Sequence, residues 1–304
     1  MTTWGRLMGR DRGGGLCCPS AVCARAGIPA GGLAPQVCPV CGQTLPLADG
    51  AAFPSRKVAV VGSERCGQTS WIVRAFDDLT RESERFRFPI EGQEQRWEDQ
   101  LRALSLGNPL AATPSHPGVA LCLDFTQRGI CRRLYVYDSA AQESGEACRL
   151  ARHRNFKYLN GLVVVLDPFG LAPVRHRYGQ MIVGLRPPVS PSPDAFAEGR
   201  LAVVLRALEV HRPTPPGLCW ELDVAVVITK LDVLGLGRRL GSEQSSPDEI
   251  HAACQTQVAE WGFDNMSRAL AAHFRRVRFF ATWPGAHGAF AASNALQWMF
   301  EEAA

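Results

Sequence analysis

From Lys57 onward the chain alternates short, apolar, β-branched runs with segments of helical periodicity. The runs are KVAVVG, VALCLDF, RRLYVYD, LVVVLD, LDVAVVIT and VRFFAT. Apolar spacing predicts helices over about Thr69 to Leu79, Arg200 to His211, Pro247 to Phe274 and Ala289 to Glu302. Strands that are apolar at nearly every position, not only at alternate ones, are covered on both faces. The alternation therefore predicts an α/β domain over residues 55–304, built on a mostly parallel six-stranded sheet with helices on both faces. A chain of 304 residues with 46% hydrophobic content is long enough to bury such a core. Two proline-rich stretches, Ser105 to Gly118 and Gly170 to Gly199, interrupt the pattern and read as functional or inserted loops.

Residues 1–54 show neither period and are dense in Gly, Pro, Ala and Cys, so packing alone cannot order this arm. Cys38-Pro39-Val40-Cys41-Gly42 has the form of a zinc-knuckle turn, in which two thiolates grip one ion. A tetrahedral site needs a second pair. Cys18 and Cys23 supply it, with Cys17 as the alternate to Cys18. Four thiolates leave no open position, so the zinc is structural and the arm is zinc-ribbon-like. The eleven cysteines are odd in number and scattered through predicted strands, which argues for reduced thiols and a metal cluster over a disulfide framework.

The formal charge of +4 gives no basic stripe for nucleic acid or membrane. No apolar run approaches the roughly 20 residues of a membrane span, and the N-terminus lacks an apolar signal core, so the expectation is a cytoplasmic protein. Lysine occurs only at Lys57, Lys157 and Lys230, which makes a lysine inside a motif conspicuous.

Four segments that follow predicted strands carry the chemistry. Gly62-Ser63-Glu64-Arg65-Cys66-Gly67-Gln68-Thr69, continuing to Ser70, has P-loop spacing with glutamine in the lysine position. Its glycines let backbone N–H groups wrap phosphates, the following helix adds positive potential, and the Thr69 hydroxyl suits Mg²⁺. Asp138, after RRLYVY, is placed to bind the same Mg²⁺ through water, and the N–H of Ala141 would approach a γ-phosphate. Thr229-Lys230-Leu231-Asp232 matches the [NT]KxD guanine motif. There Asp232 would accept from guanine N1–H and the exocyclic amine while the Lys230 stem covers the base. Thr282, after VRFFA, would bring backbone to the base. All four strand ends share the carboxyl edge of a parallel sheet, where open α/β sheets bind ligands. Asp167 in LDPF reads as a residue that closes a strand.

These segments, with the Thr113-Pro114 pair, YDSAAQE, LVVVLDPF and VVITKLD, resemble the TRAFAC-class GTPases. More narrowly they are similar to bacterial double-GTPase-type domains found with N-terminal zinc ribbons in conflict-system gene clusters. The resemblance spans most of 56–304 and implies a Ras-like P-loop NTPase fold that binds GTP or GDP with Mg²⁺. In that family a threonine before the second strand senses the γ-phosphate and Mg²⁺, a role that would fall to Thr113. Gln142 stands where Ras-like proteins often carry the glutamine that orients attacking water, though it reads equally as a polar residue opening a helix. Gln68 and Ala141 depart from the family pattern. Two functions follow as expectations: a GTPase-like switch with weak hydrolysis, or a non-catalytic scaffold whose fold and ribbon hold protein partners. A nucleic-acid reader ranks last, because the arm has few aromatics and no basic run after Arg25.

Overall fold

The computed structural model describes residues 15–25, 27–29, 36–47, 54–63, 65–108, 110, 118–138, 150, 152–182, 201–215 and 217–301. Among these, nine strands form. β1 (Gly15–Leu16) and β2 (Ile28–Pro29) pair in the arm; β3 (Ser55–Gly62), β4 (Arg85–Arg87), β5 (Leu121–Gln127), β6 (Ile130–Asp138), β7 (Gly161–Leu166), β8 (Trp220–Ile228) and β9 (Phe274–Ala281) make one sheet. Its order is β4-β5-β6-β3-β7-β8-β9. β3 runs parallel to β6 and β7, and β7, β8 and β9 continue in parallel, whereas β4 and β5 are antiparallel to their neighbours.

The sheet is thus α/β and mostly parallel, but it has seven strands where the sequence predicts six. The extra one, β4, spans only Arg-Phe-Arg on the edge beside β5. Three residues are too few to show a period.

The continuous apolar runs work as their composition requires, with successive residues turned to opposite faces. Val58 and Val60, Val163 and Val165, Ala225 and Val227 face one layer; Ala59 and Val61, Leu162 and Val164, Val224 and Val226 face the other. The first layer is α1 (Gln68–Glu82), α2 (Gln93–Ser105) and α8 (Asn294–Trp298), anchored by Trp71, Phe76, Leu79, Trp97 and Leu296. The second comprises α3 (Ala172–Ile182), α4 (Leu201–His211), α5 (Gly237–Leu240), α6 (Pro247–Glu260) and α7 (Asp264–His273).

Three helical expectations change. The helix predicted from Pro247 to Phe274 is two helices, α6 and α7. Ser246 starts α6 with a full capping box, Gly262 breaks the chain at φ 84°, and Phe274 already belongs to β9. The predicted final helix from Ala289 to Glu302 shrinks to a short 3₁₀ turn at Gly288–Phe290 and the five-residue α8. The stretch expected to be irregular from Gly170 opens with α3, and α2, which buries only Trp97, leaves almost no apolar period to detect. Among the described residues no helix is long and apolar enough to cross a membrane.

The arm builds a small cluster of its own from Leu16, Ile28 and Leu45 around Cys18, Cys38 and Cys23. It also packs against the large sheet. Ala21 N–H donates to the Gly118 carbonyl (3.0 Å), Ala120 N–H to Pro19 (2.8 Å) and Asn155 N–H to Ala21 (3.0 Å). Cys17 and Ala21 join the same core as Cys122, Tyr135, Tyr137 and Phe156.

Candidate functional site

β3 lies where the order of the sheet reverses: the chain places β5 and β6 on one side of it and then crosses to put β7, β8 and β9 on the other. The carboxyl end of such a strand opens a crevice in which α/β sheets bind ligands. The loop from Gly62 to Thr69 sits there. Gly62 ends β3, with Cys66 folded so closely against it that a Cβ on Gly62 would lie 2.4 Å from Cys66 Sγ. Arg65 (φ 59°) and Gly67 (φ 89°) are both left-handed, and Gly67 N-caps α1. Gly67 offers this helix no side-chain cap and its first turn holds no acidic residue, so its positive dipole end favours an anion, while the Gln68 N–H meets the Cys66 thiol.

Gln68 and Thr69 begin α1 and both reach Asp138 at the end of β6. Gln68 Nε2 donates to Asp138 Oδ1 (2.5 Å) and to the Val60 carbonyl (3.0 Å); Thr69 Oγ1 donates to Asp138 Oδ2 (3.0 Å). Gln68 is buried and Thr69 half-buried. The hydroxyl and carboxylate expected to share a cation are therefore side by side, with a neutral amide next to them.

On the other side, residues after β8 hold the loop. Thr229 Oγ1 donates to the Cys66 carbonyl (3.0 Å), and Lys230 Nζ donates to the Arg65 carbonyl (2.8 Å). In a trans peptide the following N–H points opposite to the carbonyl, so anchoring the Cys66 carbonyl turns the Gly67 N–H away from β8. Lys230 adopts φ 57°, Asp232 is exposed two residues on, and Thr282 after β9 is tied to the same edge by its N–H to the Ile228 carbonyl (3.0 Å). Burial, and next the negative charge of Asp167, push the Cys66 thiol up to about 12, so it stays a neutral space-filler.

The structure thus brings together Gly62, Ser63, Arg65, Cys66, Gly67, Gln68, Thr69, Ser70, Asp138, Thr229, Lys230, Asp232 and Thr282 on one sheet edge. Glu64, Thr113, Ala141 and Gln142 lie outside the described residues.

The second constellation is the arm. The sulfurs of Cys18, Cys23, Cys38 and Cys41 lie within 4.8 Å of one another, with 3.5 Å between Cys18 and Cys41 and 3.7 Å between Cys23 and Cys38. These separations are far longer than a disulfide bond, and all four are free thiols. Four sulfurs at roughly 2.3 Å from one tetrahedral ion stand about 3.8 Å apart, so the cluster could hold a metal ion and is compatible with structural zinc. Gly42 (φ 73°) closes the knuckle, its N–H donating to the Cys38 carbonyl (2.8 Å). Burial raises the Cys38 thiol, but the N–H groups of Val40 and Cys41 and the neighbouring thiols outweigh it and bring it down to about 7, which favours a ligating thiolate. Cys17, the alternate ligand, points into the core of the large sheet instead.

No protein-family model matches the chain. No curated protein matches it either.

One side chain has more partners in the structure than its place in the sequence suggests. Asp167 does more than close β7: it is fully buried, accepts from Phe169 N–H (3.0 Å) and pairs with Lys230 Nζ (2.5 Å). The available signal was a carboxylate ending a wholly apolar strand in a chain with only three lysines. A buried charge of that kind requires a partner.

Proposed function

We propose that this chain is a guanine-nucleotide-binding, GTPase-like switch protein of Ras-like P-loop fold, with weak hydrolysis because Gln68 replaces the phosphate-loop lysine. The observation that carries the reading is the link from Thr229 and Lys230 to the carbonyls of Cys66 and Arg65. A base-reading segment and a phosphate-holding loop serve one ligand only if they meet, and these two meet although more than 160 residues separate them. The mostly parallel sheet, the loop at its reversal point and an α1 first turn without an acidic residue add support.

In this reading a triphosphate lies across the Gly62–Thr69 loop, held by backbone N–H groups and the helix terminus. Thr69 and Asp138 would hold Mg²⁺, which supplies the positive charge that offsets the phosphates. Lys230 covers one face of the base and Asp232 accepts from guanine N1–H and its amine, a donor pair that adenine lacks. Gln68 contributes a hydrogen-bond donor but no charge. Thr113 and Gln142 keep the roles that the family resemblance implies. Zn²⁺ in the arm is structural.

A second reading, a non-catalytic scaffold that uses the fold and the ribbon to hold protein partners, is favoured by one observation. The Gln68 amide is already engaged by Val60 and Asp138, as a group retained for packing would be. Calorimetric titration with GTP, GDP and ATP, with and without Mg²⁺, separates the two. The switch reading requires Mg²⁺-dependent GTP binding with ATP much weaker; no heat with any nucleotide supports the scaffold.

A further inference from the structure

We propose that Asp167 is a positioning residue for the Gly62–Thr69 loop, its carboxylate holding the Lys230 ammonium against the Arg65 carbonyl so that the loop backbone keeps an anion-binding shape. The inference rests on the nucleotide-binding reading for its ligand, but not for the brace itself.

The two oxygens of Asp167 have separate tasks. Oδ1 accepts from Phe169 N–H and shapes the turn after β7, whereas Oδ2 meets Lys230 Nζ. The carboxylate is fully buried and Lys230 is 29% exposed, so the pair is anchored from the inside. The ammonium then spans two left-handed, non-glycine residues, Lys230 itself and Arg65. Such backbone conformations persist where surroundings over-determine them, and they concentrate at ligand-holding loops. Thr229 adds a parallel tie to Cys66.

The chain's own departure from the usual loop makes this brace weigh more. With the Gln68 amide turned to Val60 and Asp138, an anion on the loop depends on backbone N–H groups and the α1 terminus. Backbone N–H groups serve an anion only while the peptide planes keep their orientation. The Thr229 contact sets the plane that carries the Gly67 N–H, whereas Lys230, fixed by Asp167, sets the Arg65–Cys66 plane, whose N–H closes the turn to the Ser63 carbonyl (3.2 Å) and so holds the shape of the loop.

The test uses Asp167→Asn, in which an amide oxygen can still accept from Phe169 N–H while the charge that holds Lys230 is gone. Two readouts are needed. The first, independent of any nucleotide, is iodoacetamide labelling of Cys66 followed by mass spectrometry of its peptide, with the buried Cys122 and Cys254 as controls. The second is titration with GTP and with inorganic tripolyphosphate, which has no base. Loss of one charge-assisted contact should speed Cys66 labelling by roughly tenfold or more and leave the controls unchanged, and both ligands should weaken by a similar factor. Unchanged Cys66 labelling in a folded variant overturns the brace. So does a loss confined to GTP, because Asp167 would then act through the base. Equal acceleration at all three cysteines means general loosening and also overturns it. If Asp167→Asn alone does not fold, the double change Asp167→Asn/Lys230→Met removes both charges and should restore folding while keeping Cys66 labelling fast; slow labelling there refutes the proposal. Wild-type protein that binds neither ligand refutes the nucleotide reading, while selective Cys66 acceleration would still establish the brace.

Discussion

The hydroxyl of Thr69 donates to the carboxylate of Asp138 across 3.0 Å, joining the first turn of α1 to the end of β6. Gln68, one residue earlier, reaches the other oxygen of the same carboxylate. A lysine at position 68 would bring an ammonium to this carboxylate and to the phosphates of a bound triphosphate together. Gln68→Lys should therefore fold normally and tighten GTP by about tenfold or more, since a charge-assisted hydrogen bond contributes about 1.5 to 3 kcal/mol. Titrating the wild type and the variant side by side checks this. Hydrolysis should rise further on adding Ala141→Gly. If neither variant binds GTP while folded, the scaffold reading replaces the switch.

The arm should carry about one zinc ion per chain, measurable by metal analysis of protein prepared without chelator. Changing Cys38 and Cys41 to serine should release it. Sequence composition suggests that the consequences stay within the arm. The contacts of Pro19 and Ala21 with Gly118, Ala120 and Asn155 predict that they spread into the sheet. If three backbone hydrogen bonds of about 1 kcal/mol each weaken, the Tm of the whole chain should fall by at least about 4 °C. An unchanged Tm after complete zinc release would show that the arm is energetically separate.

Gly62 has no room for a methyl group. Its Cβ would meet Cys66 Sγ at 2.4 Å and the Val165 carbonyl at 3.2 Å. Gly62→Ala should destabilise the fold by about 1 to 3 kcal/mol and lower the Tm. Combining it with Cys66→Ala removes the sulfur, and the double change should recover part of the loss. A pair of exactly additive penalties would mean that the two positions do not clash.

The strands were legible because each is a run of apolar, β-branched residues long enough to cross a buried sheet. Val163 and Val224 could hardly belong elsewhere. β4 was not, since Arg85–Arg87 pairs through its backbone on an edge and buries almost nothing. The single long helix drawn across Gly262 failed because apolar spacing continues through Trp261 and Phe263 while the backbone does not. In the site, Gln68, Asp138 and Lys230 were marked by their places in spaced motifs. Asp167 lies in the LVVVLDPF segment, but its pairing with Lys230 comes from β7 and β8 being neighbours, a tertiary fact that local sequence does not encode. The choice between Cys17 and Cys18 is of the same kind: adjacent residues on an extended segment face opposite ways, and only the packed arm shows which one meets Cys41.

The account stands or falls on Asp232, an exposed carboxylate two residues beyond the lysine that grips the loop. Its measurement is a competition titration of GTP, ATP and XTP against wild-type protein and Asp232→Asn. A carboxylate accepts from the N1–H and amine of guanine, whereas against adenine it meets an acceptor and is left unpaired, at a cost of roughly 1 to 3 kcal/mol. An asparagine offers a donor to the C2 oxygen of xanthine. The account predicts that wild-type protein prefers GTP over ATP by about tenfold or more, and that Asp232→Asn abolishes this preference and gains affinity for XTP. Equal affinity for GTP and ATP in the wild type, or a GTP preference that survives Asp232→Asn, would contradict it.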